Sequence, residues 1–221
     1  MGQTVMGQIV VVIPARNEAA TVGAVVYAAV DARLVDGVVV VDNGSRDGTG
    51  AVAAAHGARV VREPVPGKGE ALRAGVAAAG DAGVLVFLDA DLVGLRPEHV
   101  DRLAGAVASG EADMACGMFD RGPLVNRLLR ATLPVLTGQR ALRRDLFDRL
   151  DEADVRGWRV EAALNSLVAQ RGLVRRDEVL PGLWHRTKEE KLATPALGRA
   201  TKLAMLASAC WGYVRLGFRP I

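Results

Sequence analysis

The chain has 221 residues, with 28 Lys+Arg against 25 Asp+Glu and a formal net charge of +3. Half of it is hydrophobic, 24% is charged and only 4% is aromatic, which excludes a disordered chain and suits one α/β domain with buried parallel strands. The two cysteines, Cys116 and Cys210, have neither metal-ligand spacing nor a disulfide framework, so both are expected to be reduced and buried, as in the cytosol.

In chain order, the N-terminus lacks a basic start followed by an apolar run and a small-residue cleavage site, so no secretory leader is expected; residues 1–7 read as a tail. QIVVVIPA (8–15) reads as a buried strand and EAATVGAVVYAAVD (18–31) as a helix. DGVVVVD (36–42) is a second strand, RDGTGAVAAAHG (46–57) a helix stopped by glycine, and ARVVRE (58–63) a third strand. GEALRAGVAAAG (69–80) is a helix and AGVLVFLD (82–89) a fourth strand. PEHVDRLAGAVASG (97–110) has proline at its first turn and glycine at its end, and EADMACGMF (111–119) is a fifth strand.

Further on, GPLVNRLLRATLPVL (122–136) reads as a helix cut by Pro134, and TGQRALRRDLFDRL (137–150) as a loop entering a helix. GWRVEAALNSLVAQRG (157–172) is a helix, LVRRDEVL (173–180) a strand and PGLWHRTKEE (181–190) a loop. Residues 191–217 read as an amphipathic helix, whose apolar core LAMLASACWGYV is shorter than the ~20 residues a bilayer requires. It is expected to pack on the domain or on a second subunit, or to lie at a membrane interface with Lys202, Trp211, Tyr213 and Arg215 at the polar boundary.

Charge is unevenly placed. Residues 1–120 hold 9 Lys+Arg and 15 Asp+Glu, whereas residues 121–221 hold 19 and 10. The acidic half suits a cation and the basic half an anionic partner, or else arginines merely solubilise helices.

Strands alternating with helices of this length imply βαβ units and a mostly parallel sheet, with ligands beyond the carboxyl ends of the strands. The loops at those ends read PARNE, DNGSRDGT, PVPGKGE and DADLVG. In the last, Asp89 and Asp91 are two residues apart, and residues i and i+2 of an extended chain point the same way. Two carboxylates together need a positive group nearby, and such oxygen-rich sites suit Mg²⁺ or Mn²⁺ bridging protein to phosphate. Lys68, between two glycines before a helix, can offset phosphate charge where the backbone approaches closely, although the P-loop spacing is missing. In DNGSRDGT, Ser45 or Asp47 is also a natural helix cap. His56 and His99 fall on helix positions and read as structural.

VVIPARNEAATV, VVVVDNGSRDGT, GKGEAL and VFLDADL, in this order and each at a strand end, resemble the family 2 glycosyltransferases. The likeness continues more loosely through TGQRALRR, GWRVEAAL and GLWHRTKEEK, and within the family the chain is similar to polyprenyl-phosphate sugar transferases and to glucosyl-3-phosphoglycerate synthases.

The resemblance implies a GT-A fold, an α/β domain with a mostly parallel, doubly wound sheet and a C-terminal helical extension. Residues 8–120 would be the nucleotide-sugar-binding half, 121–190 the acceptor side and 191–221 the amphipathic helix. It implies a metal-dependent hexosyltransferase acting on a nucleotide-diphosphate sugar, with Mg²⁺ or Mn²⁺ as cofactor. The acceptor would be anionic, either polyprenyl phosphate or a small phosphorylated acid. No nucleic-acid partner is implied; the setting is cytoplasmic with membrane association open, and a homodimer also stays open.

Residue by residue, Pro14, Ala15, Arg16 and Glu18 would hold the base and ribose, Asp42 would bond the base, and Asn43, Gly44 and Ser45 would shape that loop. Lys68 would touch the donor, Asp89 the ribose or the metal, and Asp91 and His185 would ligate the metal, although without the resemblance His185 reads rather as a surface histidine beside Trp184. Breaking the sugar–phosphate bond leaves a more negative diphosphate, which a divalent cation stabilises.

The acceptor divides the chemistry. A hydroxyl needs a general base, for which Glu161 is a candidate; a phosphate needs only cationic groups, for which Gln139, Arg140, Arg143 and Arg144 are candidates. Retention and inversion both stay open. A nucleotidyltransferase, which usually has a glycine-rich loop after the first strand that PARNEAATV lacks, and a non-catalytic sugar-nucleotide-binding module are the alternatives.

Overall fold

The computed structural model describes residues 7–122, 124, 126, 137–156 and 159–185. The helix expected over 122–136 therefore lies mostly outside the described residues, and the stretch 191–217 with Cys210 lies wholly outside them.

The chain runs β1 (Ile9–Ala15), α1 (Val22–Val30), β2 (Gly37–Asp42), α2 (Thr49–Ala55), β3 (Arg59–Arg62), α3 (Lys68–Ala78), β4 (Val84–Phe87) and β5 (Leu92–Val93). It continues α4 (Pro97–Ala108), β6 (Met114–Phe119), β7 (Arg140–Arg143), α5 (Arg144–Asp148), α6 (Glu152–Val155), α7 (Val160–Gln170), β8 (Arg175–Leu180) and β9 (Trp184–His185).

Seven strands form one sheet in the order β3-β2-β1-β4-β7-β6-β8. All point the same way except β7, which is antiparallel to both β4 and β6. The valine runs of β1, β2 and β4 follow from this position, because central strands covered on both faces have no wet side to alternate toward. One face buries Val11 and Ile13 with Val22, Val25 and Val26 of α1 and Val100, Leu103 and Val107 of α4. The other buries Val10 and Val12 with Leu72 and Val76 of α3 and Leu146, Phe147 and Leu164. Helix α3 packs so closely that a Cβ on Gly75 would fall 2.3 Å from Val12 Cγ1.

The chain builds outward from β1 to β3, then returns to place β4 on the other side of β1. That reversal opens a crevice at the carboxyl ends of β1 and β4, where open α/β sheets bind ligands.

Three expectations are corrected. TGQRALRR is not a loop: Arg140–Arg143 is an internal strand. The first helix begins at Val22 rather than residue 18, because Glu18–Thr21 forms a turn in which Thr21 N and Val22 N donate to Glu18 O. The fourth strand ends at Phe87, so Asp89 and Asp91 lie in the turn after it and no strand pleat aligns them. Cys116 is a buried free thiol as expected. Among the described residues no helix is long and apolar enough to cross a membrane.

Candidate active site

The loops at the carboxyl edge are fastened one to the next. Asn17, in the left-handed region at φ 56°, donates its N–H to Ser45 Oγ and accepts from Arg46 N at its Oδ1. Asparagine tolerates that conformation because its short amide bonds locally. Glu18 N donates to Thr49 Oγ1 and Ala19 N to Asp47 Oδ2, so the loop after β1 is pinned to the loop after β2. Asp42 ends β2 and accepts from Ser45 N at 2.8 Å. Asp47 turns the chain by accepting from Thr49 N and Thr49 Oγ1, while the helix cap position itself is Gly48.

Asn43 makes the next fastening. Its amide donates to Glu63 O (3.0 Å) and Val65 O (2.6 Å), and its Oδ1 accepts from Gly67 N (2.8 Å). The β3–α3 loop is thereby fixed just before Lys68.

Lys68 Nζ lies 2.7 Å from Asp89 Oδ1 and 2.7 Å from Glu161 Oε1, and its side chain is 10% exposed. Burial alone would lower the lysine pKa; Asp89 and Glu161 overcome that and raise it above the usual value. Burial alone would raise the Asp89 pKa; Lys68, the Gln139 hydrogen bond and nearby His185 bring it below the usual carboxylate range. The other Asp89 oxygen, Oδ2, accepts from Gln139 Nε2 at 2.7 Å. Gly138 sits against the same carboxylate, where a Cβ would fall 2.2 Å from Oδ2.

Beyond Asp91 the chain forms β5, which pairs antiparallel with β9 so that Leu92 faces His185. The approach depends on Gly94, at φ 75°, whose Cβ would fall 2.2 Å from Gly182 O. His185 therefore arrives from far along the sequence opposite the residue that follows Asp91, with its ring 5.1 Å from that of Phe119. Among the described residues no group of three or more His, Cys, Asp or Glu could hold a metal on its own. Asp91 and His185 are two donors, and this fits Mg²⁺ or Mn²⁺, which keep waters and complete their shells with substrate phosphates.

Pro14, Ala15, Glu18, Asp42, Ser45, Lys68, Asp89, Asp91 and His185 thus lie along one edge of the sheet, as does the exposed Arg16. The arginine cluster expected to hold an anion is not there. Arg143 lies opposite Val84, at the far end of β4, and pairs with Asp113 and Asp145. Arg144 is on that side too, bonded to Asp148 and Gly80 O. Arg140 is at the right end of β7 but is 1% exposed, its guanidinium donating to Thr137 O and Glu161 O. Gln139, also buried, faces Asp89 rather than a second substrate. The antiparallel strand sets Gln139 and Arg140 at one end and Arg143 and Arg144 at the other, which the sequence reading as a loop could not foresee. Asn17, Thr49 and Thr137 were missed as site supports; for Asn17 and Thr49, the cap-prone composition of RNE and RDGT was the available signal.

A mixed seven-stranded sheet of this order, covered by helices on both faces and carrying polar loops at its carboxyl edge, is a doubly wound α/β architecture. The sequence profile described as "Glycosyl transferase family 2" matches residues 10–155, and the chain belongs to that family. It is 45% identical over 126 residues to glucosyl-3-phosphoglycerate synthase from Mycobacterium tuberculosis, a match covering 52% of this chain and 38% of the relative. The matched stretch thus spans well under half the length of that relative. A crystal structure of the Mycobacterium tuberculosis synthase with Mn²⁺, UDP and phosphoglyceric acid has a TM-score of 0.79 at 30% identity, covering 98% of this chain and 80% of that one. Another, with Mn²⁺, UDP-glucose and phosphoglyceric acid, has a TM-score of 0.76 at 31% identity over 97% and 81%. The fold is the GT-A fold.

Proposed function

We propose that the chain is a metal-dependent glycosyltransferase that moves a hexose from a nucleoside-diphosphate sugar to a small phosphorylated acid. The observation that carries the reading is the β5–β9 pairing, in which His185 lies opposite Leu92, the residue after Asp91, at the same edge as the Lys68–Asp89 pair. The UDP-glucose and phosphoglyceric acid named for similar structures support the same donor and acceptor classes.

In this reading Pro14, Ala15, Arg16, Glu18, Asp42 and Ser45 receive the nucleoside. Lys68 and Asp89 contact the donor between base and sugar. Asp91 and His185 hold Mg²⁺ or Mn²⁺, which when bound supplies positive charge against the diphosphate as the sugar–phosphate bond breaks. Glu161 is engaged by Lys68; an acceptor that attacks through an ionised oxygen, as on a phosphate, asks nothing of it, whereas one that attacks through a hydroxyl would have to pass its proton to a base, for which Glu161 is the candidate. A polyprenyl-phosphate acceptor is the second reading. The stretch that would touch a membrane or a second subunit lies outside the described residues.

The test is turnover of UDP-glucose with Mn²⁺ in the presence of 3-phosphoglycerate or of polyprenyl phosphate in detergent. Product with the first acceptor, and its loss in Asp91→Ala by about 10³-fold or more, is expected. Full activity in that variant overturns the reading.

A further inference from the structure

We infer that Thr137 is a positioning residue for the donor site: its hydroxyl holds the Gln139 amide with the NH₂ end on Asp89. This rests on the glycosyltransferase reading above.

A side-chain amide has a donor end and an acceptor end of nearly the same shape, so either can face a neighbour. Facing Asp89 Oδ2, the NH₂ end forms a hydrogen bond to a carboxylate, whereas the carbonyl end would set two oxygens against each other. The Asp89 carboxylate, which only accepts, calls for the NH₂ end, and the Thr137 hydroxyl holds the amide there by satisfying its other end. That hydroxyl donates to Gln139 Oε1 at 2.5 Å, which holds Nε2 on Asp89 Oδ2 at 2.7 Å. Gln139 N donates back to Thr137 Oγ1 at 3.2 Å, so the hydroxyl is itself oriented by the backbone.

The same residue is anchored on its other side. Thr137 O accepts from Arg140 Nε at 3.1 Å and Nη2 at 2.5 Å, and Arg140 Nη1 reaches Glu161 O at 3.4 Å. Arg140 is buried, so this fork ties the Thr137–Gly138–Gln139 loop to the start of α7. One threonine therefore connects to both carboxylates that share Lys68: to Asp89 through Gln139, and to the backbone of Glu161 through Arg140. Gly138, between them, presses on the Asp89 carboxylate with no room for a Cβ. The loop is a fitted wall of the donor site, and the hydroxyl holds the Gln139 amide in it.

Thr137→Val removes the hydroxyl at nearly constant volume, and Thr137→Ser keeps it. Calorimetric titration of UDP-glucose in the presence of Mn²⁺ is expected to show about tenfold weaker binding for Thr137→Val, with Thr137→Ser within about threefold of the unaltered chain. The donor KM is expected to rise in parallel, with the acceptor KM unchanged. A purely structural threonine would lower the midpoint and the active fraction while leaving donor affinity alone, and that outcome overturns the inference. So does equal donor affinity in Thr137→Val, or a Thr137→Ser variant as weak as the valine. Absence of UDP-glucose binding by the unaltered chain would overturn the parent reading, and this one with it; equal binding by both forms overturns this one alone.

Discussion

The ammonium of Lys68 and the carboxylate of Glu161 meet at 2.7 Å, although one residue opens α3 and the other lies in the first turn of α7. Because Asp89 shares the same ammonium, one buried cation answers two carboxylates from separate parts of the fold.

Replacing Lys68 by methionine leaves both carboxylates without that cation in a largely enclosed place. A loss of about 3–5 kcal/mol is expected, the cost of breaking a buried pair by removing one partner. The pH dependence should change sign as well. The Asp89 pKa is depressed in the folded chain, so its contribution is present above the unfolded value of about 3.9 and is lost as pH falls through the lower folded value. The Lys68 pKa is raised, so its contribution is present below about 10.4 and is lost as pH rises through the higher folded value. The unaltered protein should therefore show a plateau between these limits. In Lys68→Met, acidification from pH 7 toward 4 should increase stability, because protonation relieves the unpaired carboxylates. Urea unfolding midpoints across that range check both.

Glu161→Gln tests the chemistry rather than the fold. The amide oxygen can still accept from Lys68, while the charge and any basicity are gone. With a phosphate acceptor, kcat is expected to stay within about tenfold of the unaltered enzyme, whereas loss of a working general base would cost roughly 10²–10⁴. Steady-state rates with saturating donor separate the two.

Asn43→Ala removes all three bonds to the 63–67 segment, leaving Glu63 O, Val65 O and Gly67 N without this partner. The expected cost is about 1–3 kcal/mol. Hydrogen exchange should report it locally, with faster exchange at the Gly67 amide. Donor KM should rise, because Lys68 follows directly on the loosened segment.

The first four strands and the helices between them were legible because central parallel strands advertise themselves as valine runs with glycine and polar punctuation. The edge carrying Asp42, Lys68 and Asp89 was legible for the same reason, since those residues stand where each run stops. Strand β7 was not. RALR offers two apolar residues between arginines, a pattern that fits the start of a helix better than the interior of a sheet. What makes it a strand is the vacancy between β4 and β6, a nonlocal fact with no trace in four residues. Mistaking it also misplaced Arg140 and Arg143, whose surroundings depend on opposite ends of that strand. The role of Asn43 was half visible: a loop-shaping residue was expected, but not that the loop it shapes is the next one along the sheet.

The late arrival of β7 has a consequence for how the molecule is made. As the chain emerges in order, β1 to β4 can assemble early, but the open flank of Val84–Phe87 stays bare until residues 140–143 are delivered. During that interval the nascent sheet exposes an apolar hydrogen-bonding template, VLVF, to any extended peptide nearby. Synthesis halted near residue 120 should accordingly leave a product that self-associates, so that a modest four-residue segment protects the folding intermediate from aggregation.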